Sequence, residues 1–94
     1  MAAICVGHIR VKDPEVWEQY RSRVGATIAG HGGELLFRGQ RRECFAGESS
    51  GDRVVAIRFA DLASARRWHG SPEYQALVGL RERGADVTLE LFEE

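Results

Sequence analysis

The chain reads as an α+β domain of order βαββαβ, a four-stranded antiparallel sheet carrying both helices on one face. Three observations predict it. Apolar and polar residues alternate in the segments that begin near Ile4, Glu34, Arg53 and Val87, which marks them as strands. Asp13-Pro14-Glu15 and Ser71-Pro72-Glu73 each set a capping side chain, a proline and an acid in the order that starts a helix. The two helical stretches fall between strands, so right-handed crossovers fold both onto one side, a ferredoxin-like arrangement.

In the first strand, Ile4 to Val11, Cys5, Gly7, Ile9 and Val11 point one way and Ile4, Val6, His8 and Arg10 the other. Asp13 then caps a helix over residues 14–29, whose apolar stripe is Val16, Tyr20, Val24 and Ile28, widened by Trp17 and Thr27. Gly30, Gly32 and Gly33 end it. The second strand, Glu34 to Arg38, sets Leu35 and Phe37 on one face. Arg42 to Glu48 is expected to resume it after a bend at Gly39, with a tight hairpin as the alternative. After the turn at residues 49–52, Arg53 to Ala60 is the strongest strand, with Val55, Ile57 and Phe59 facing the helices. Asp61 caps the second helical stretch, which His69-Gly70 interrupts and Ser71 restarts until Gly84. Val87, Leu89 and Leu91 alternate with Thr88, Glu90 and Phe92 in the last strand.

Ninety-four residues suit one domain, spanning 1–94, that gains from burying surface against a partner. Thirteen basic and fourteen acidic residues leave a net charge of −1, which argues for neither nucleic acid nor an anionic membrane as partner. Twelve of the thirteen cations are Arg, a residue that grips carboxylates with two hydrogen bonds. The apolar start from Met1 to Gly7 has no basic region before it and does not read as a signal peptide, and no run is long enough to span a membrane. Cys5 and Cys44 stand apart without CxxC spacing and are expected to be buried thiols of a cytoplasmic protein.

Two helices cover one sheet face and leave the other bare. Alternation assigns Ile4, Val6, His8, Arg10, Leu36, Arg38, Val54, Ala56, Arg58, Thr88, Glu90 and Phe92 to that bare face. About half of these are apolar, which calls for a cover. A second copy paired sheet to sheet is the expected one, giving a homodimer.

Val11-Lys12-Asp13-Pro14-Glu15, Glu18-Gln19-Tyr20, His31-Gly32-Gly33, Phe37-Arg38-Gly39 and above all Trp68-His69-Gly70-Ser71-Pro72-Glu73-Tyr74-Gln75 resemble the family known as domain of unknown function 1330 (DUF1330), over nearly the whole chain. The resemblance implies membership of the dimeric α/β-barrel superfamily. Relatives there include cofactor-free monooxygenases, muconolactone isomerases and haem-binding chlorite dismutases, while the family itself has no assigned reaction. Family members often carry an acid where this chain has Arg58.

Strand alternation gathers one polar set on the bare face: His8, Arg10, Arg38, Arg58 and Glu90. A strand order 4-1-3-2 brings Glu90 and Arg58 to either side of His8. One reading is an anion pocket in which Arg10, Arg38, Arg58 and Glu90 bind a carboxylate or enolate and His8 moves a proton. The other is an Arg–Glu network across the dimer. His31 is either a catalytic base at a pocket rim or a partner of the negative helix end. Ser71, His69 and Tyr74 can line a pocket, but Ser71 as a cap and Trp68 and Tyr74 as core anchors account for most of that motif. His8, His31 and His69 lie on three elements without ligand spacing, so no metal is expected, and no cofactor motif occurs.

Other functions of this fold fail on residue type. The chain has no Asn for acylphosphatase-like hydrolysis, no aromatic pair of the RNA-recognition kind on its strands, no CxxC metal-carrier loop and no glycine-rich phosphate loop. What is expected is a cytoplasmic homodimer with a sheet-face cleft for a small organic molecule, one that can bear a carboxylate, and with room for cofactor-independent oxygenase or isomerase chemistry. The alternative is a non-catalytic binding or interaction module. The sequence leaves open whether it is an enzyme.

Overall fold

The computed structural model describes all residues, Met1–Glu94. The elements are β1 (Ala3–Val11), α1 (Pro14–Ala29), β2 (Glu34–Gln40), β3 (Arg53–Phe59), α2 (Leu62–Gly70), α3 (Pro72–Gln75), α4 (Val78–Gly84) and β4 (Ala85–Glu93). They form an antiparallel four-stranded sheet of order β2-β3-β1-β4, as the alternation predicts.

The helix starts sit where their capping residues put them. The Asp13 carboxylate accepts from the amides of Glu15 and Val16 at 3.2 and 3.3 Å, and Asp61 accepts from the Ser64 amide at 2.7 Å. The Ser71 hydroxyl donates to the Trp68 carbonyl at 2.7 Å and accepts from the Tyr74 amide at 3.2 Å. It therefore ends α2 and starts α3 with one side chain. Around that corner the core is aromatic: Trp68, Tyr74 and Phe59 are almost wholly buried, with Trp68 5.4 Å from Phe59 and 4.4 Å from Tyr74 between ring centroids.

The structure corrects the sequence expectations within β2 and in the segment between β2 and β3. Leu35 pairs with Ile57, but Phe37, not Leu36, pairs with Ala56. Leu36 is thus an extra residue, a β-bulge, and every later side chain of β2 is turned over. Phe37 joins Ala56 on the bare face, whereas Arg38 pairs with Val55 and Gln40 with Arg53 on the helix side. Uninterrupted alternation places Phe37 and Arg38 the other way round.

Residues 42–48 form no strand. β2 is an edge strand whose only neighbour ends at Arg53, so nothing remains for that segment to pair with. It is an exposed loop closed at its base by the Arg41 amide on the Asp52 carbonyl at 2.7 Å. The loop docks on β1 through the Asp52 amide, which donates to the Ile9 carbonyl at 3.1 Å. Gly51 permits that approach, since its φ is +68° and a Cβ there would lie 2.5 Å from the Ile9 oxygen. Cys44 lies in this loop and is exposed, against expectation, while Cys5 is buried as expected; both thiols are free.

Ser71→Ala removes both cap bonds and is expected to lower stability by about 1 kcal/mol in denaturant unfolding. Gly33→Ala should cost more, about 2 kcal/mol, because the new methyl meets Ile28 Cγ2 at 2.5 Å and Phe59 Cε1 at 2.7 Å in a packed region. Equal or greater stability of the Gly33 variant would refute the packing described.

Candidate functional site

Helix α1 lays its stripe toward the sheet but packs more closely on α4 than on any strand. The space left beneath it is a cleft of about 770 Å³, within the range that holds a drug-sized molecule. Its walls are Trp17, Tyr20, Val24 and Ile28 from α1 and Ile9, Val55, Ile57 and Leu89 from the strands. Val24, Val55 and Leu89 pack against the core yet stay only half-buried, since each borders the cleft.

Two glycines shape the space. Gly7, in the middle of β1, has Val55 and Leu89 as its sheet neighbours, and a Cβ there would sit 2.9 and 3.1 Å from their side chains. Those side chains lean over the bare strand and make the floor. Gly25 stands inside α1 with nothing within 4 Å of where its Cβ would be. A mid-helix glycine costs about 1 kcal/mol relative to alanine, and here it leaves the helix wall open to the cleft.

The polar groups gather at one end. Arg38, Gln40 and Arg53 come from the strands, and Glu18 and Arg21 from α1. Arg21 donates to both carboxylate oxygens of Glu18, at 2.9 and 3.3 Å, and these bonds hold the Glu18 carboxyl below its usual range. Deeper in, Tyr20 OH lies 3.0 Å from Tyr74 OH, which accepts from Arg81 Nη1 at 2.9 Å. Burial, and then the neighbouring Tyr74, push the Tyr20 phenol well above its ordinary pKa. It stays protonated and serves as a hydrogen-bonding group, never as a base. Burial likewise pushes the Cys5 thiol up to about 11, so it is no nucleophile at neutral pH.

The residues singled out from sequence are not brought together. His8 is half-buried on the bare face between Val54 and Thr88, whereas Arg58 stands beside Ile4 and Glu90 beside Val6. The expected flanking of His8 by Arg58 and Glu90 is therefore displaced along β1. Arg10 is ion-paired with Asp86, which Lys12 also approaches at 3.4 Å. Arg38 is on the opposite side of the sheet, through the bulge. His31 Nδ1 donates to the Thr27 carbonyl at 3.0 Å, closing the C-terminal turn of α1. His69 packs its ring against Trp68 and Tyr74. No three His, Cys, Asp or Glu side chains come close enough to share a metal ion.

Sequence reasoning misses Gln40, Arg53 and Gly25, and assigns Tyr20 to the core alone. The available signal is Gly25, a helix-breaking residue beside Val24 in an apolar stripe.

Solved structures share this fold over essentially the whole chain at low identity. A protein of unknown function, RPA0582 from Rhodopseudomonas palustris, superposes with a TM-score of 0.83 at 17% identity, covering 99% of this chain and 82% of its own. SnoaB, a cofactor-independent oxygenase from Streptomyces nogalater, does so with 0.72 at 18%, covering 99% and 92%. A dimeric ferredoxin-like protein of unknown function from Thermobifida fusca gives 0.66 at 16%, covering 100% and 92%. These likenesses concern the fold. No curated protein matches the chain. The family model described as domain of unknown function (DUF1330) matches residues 2–94, and the chain belongs to that family.

Proposed function

We propose that the chain forms a homodimer through its bare sheet face and binds a small, mainly apolar organic molecule in the cleft under α1. The observation that carries the binding reading is the cleft itself. Its core-facing walls are left half-covered and a glycine keeps the helix wall open, although filling that space would stabilise the domain.

The dimer reading rests on the other face. Leu36, Phe37 and Phe92 are 48%, 52% and 51% exposed beside Ile4, Val6 and Val54. That is more contiguous apolar surface than water tolerates without a cover. Relatives of the same fold are described as dimeric. Arg58 and Glu90 stand on either side of β1, and neither has an ion pair within the chain. A two-fold axis running parallel to β1 carries the β3 side of one copy over the β4 side of the other, bringing Arg58, level with Ile4, over the partner's β4 two residues from Glu90, which is level with Val6. These two residues then specify the dimer, with His8 farther along β1.

Binding suits the cleft better than catalysis. The groups lining it include no histidine, its one carboxylate is held charged by Arg21, and Tyr20 is no base. The fold shared with the oxygenase SnoaB keeps oxygenase or isomerase chemistry as the second reading, with Tyr20 as the donor to a substrate oxygen. Two free thiols and a near-neutral charge suit a cytoplasmic setting without nucleic-acid or membrane partners. No helix is long and apolar enough to cross a membrane.

Sedimentation at micromolar concentration should give a dimer, and Val54→Glu a monomer, since it buries an unpaired charge. Arg58→Glu should weaken the dimer and Glu90→Arg added to it restore it; a wild-type monomer would defeat the assembly reading. For the cleft, the uncharged dye N-phenyl-1-naphthylamine should fluoresce on binding. Gly25→Leu should abolish that signal without loss of stability, because leucine favours helix and fills the space. Unchanged dye binding would place the site elsewhere.

A further inference from the structure

We infer that the molecule taken by the cleft is an amphipathic carboxylate, its hydrocarbon body under α1 and its anionic group at the mouth between Arg38 and Arg53. This rests on the binding reading above and adds the chemical class of the ligand. The bulge at Leu36 turns Arg38 inward. Without it Phe37 would stand at the mouth and Arg38 on the far face of the sheet.

The charges at that mouth do not balance. Three arginines, Arg21, Arg38 and Arg53, face one carboxylate, Glu18, which Arg21 already holds with two hydrogen bonds. Neither Arg38 nor Arg53 has an ion pair. Two guanidiniums on neighbouring strands, with the Gln40 amide on the same face, present a surplus of donors to an anion. Farther in, the walls are mainly apolar, and Tyr20 and Trp68 are already bonded to Tyr74 and Thr27. A ligand with a charge at both ends would leave one of them unpaired inside, and a cation would be repelled at the mouth. One anionic end on a long apolar body meets both conditions.

Displacement of N-phenyl-1-naphthylamine by decanoate, decanol and decyltrimethylammonium tests this. In wild type, decanoate should compete about tenfold more strongly than decanol, and the ammonium least, a preference that weakens as salt rises. Arg38→Ala should erase most of the decanoate preference and Arg38→Ala with Arg53→Ala the rest, decanol being unaffected. Arg23→Ala, which removes a cation from α1 outside the cleft, should leave the preference intact. Decyl sulfate as a further competitor separates carboxylate from other anions: displacement stronger than by decanoate would overturn the assignment to carboxylates. Equal competition by decanoate and decanol in wild type, or a preference that survives the double substitution, would overturn the anion site while the cleft stands. Failure of the dye itself to bind would instead overturn the binding reading.

Discussion

The face of the sheet on which β2 places its side chains is set by one surplus residue. Up to Leu35 the strand keeps the parity of its neighbours; beyond Leu36 it is reversed. The reversal moves two side chains of opposite character in opposite directions. Phe37 leaves the cleft for the bare face, where it extends the apolar surface offered for assembly. Arg38 leaves that surface, where an unpaired cation would oppose burial, and reaches the mouth of the cleft. A regular strand would have an aromatic plug at the cleft and a charge at the edge of the bare face.

The cleft depends on a second constraint, the way α1 is supported. Its closest packing is with α4, while the aromatic wall of Trp17 and Tyr20, stacked at 4.9 Å, meets Tyr74 beneath. The Tyr20–Tyr74–Arg81 chain satisfies the polar ends of that wall inside the protein, so the side chains are held without drawing on a ligand. The helix is therefore propped along one edge by packed aromatics. Along the other it stands clear of the strands, where Gly25 and Val24 look onto Val55 and Leu89. The aromatic corner around Ser71, which the sequence singles out most strongly, does its work here at one remove. It fixes Tyr74, Tyr74 fixes Tyr20, and Tyr20 fixes the depth of the cleft.

Most of the fold was legible in the chain, since its signals are local. A carboxylate or hydroxyl at Asp13, Asp61 and Ser71 caps the next amides whatever surrounds it, and period-two alternation in β1, β3 and β4 survives because those strands are regular. The bulge was not legible. Leu35-Leu36-Phe37 are three apolar residues in a row, so a slip by one leaves no mark on the pattern, and the glycine nearby, Gly39, pointed to a bend at the wrong place. The extended reading of residues 42–48 failed for a different reason: strand propensity is realised only against a neighbour, and an edge strand outrunning its partner has none. The cleft was least legible of all, because empty space has no residue to announce it except a glycine where a helix would rather have alanine.

Under the proposed assembly and ligand, the same sheet serves two faces with opposite requirements. On the bare face the surface must be apolar in the middle and charged at fixed, complementary points, which Ile4, Val6 and Val54 and then Arg58 and Glu90 supply. On the helix face the surface must be apolar at depth and cationic only at the rim, supplied by Ile9, Val55 and Leu89 and then Arg38 and Arg53. In a regular strand both demands can be met independently, since odd and even residues never exchange sides. β2 meets them with an irregular strand, and its position explains why. As an edge strand it can absorb an extra residue on a single ladder; in β1 or β3 the same insertion would disturb pairing on two sides at once. The edge is thus where this fold can turn residues over at low cost, and the mouth of the cleft lies at that edge.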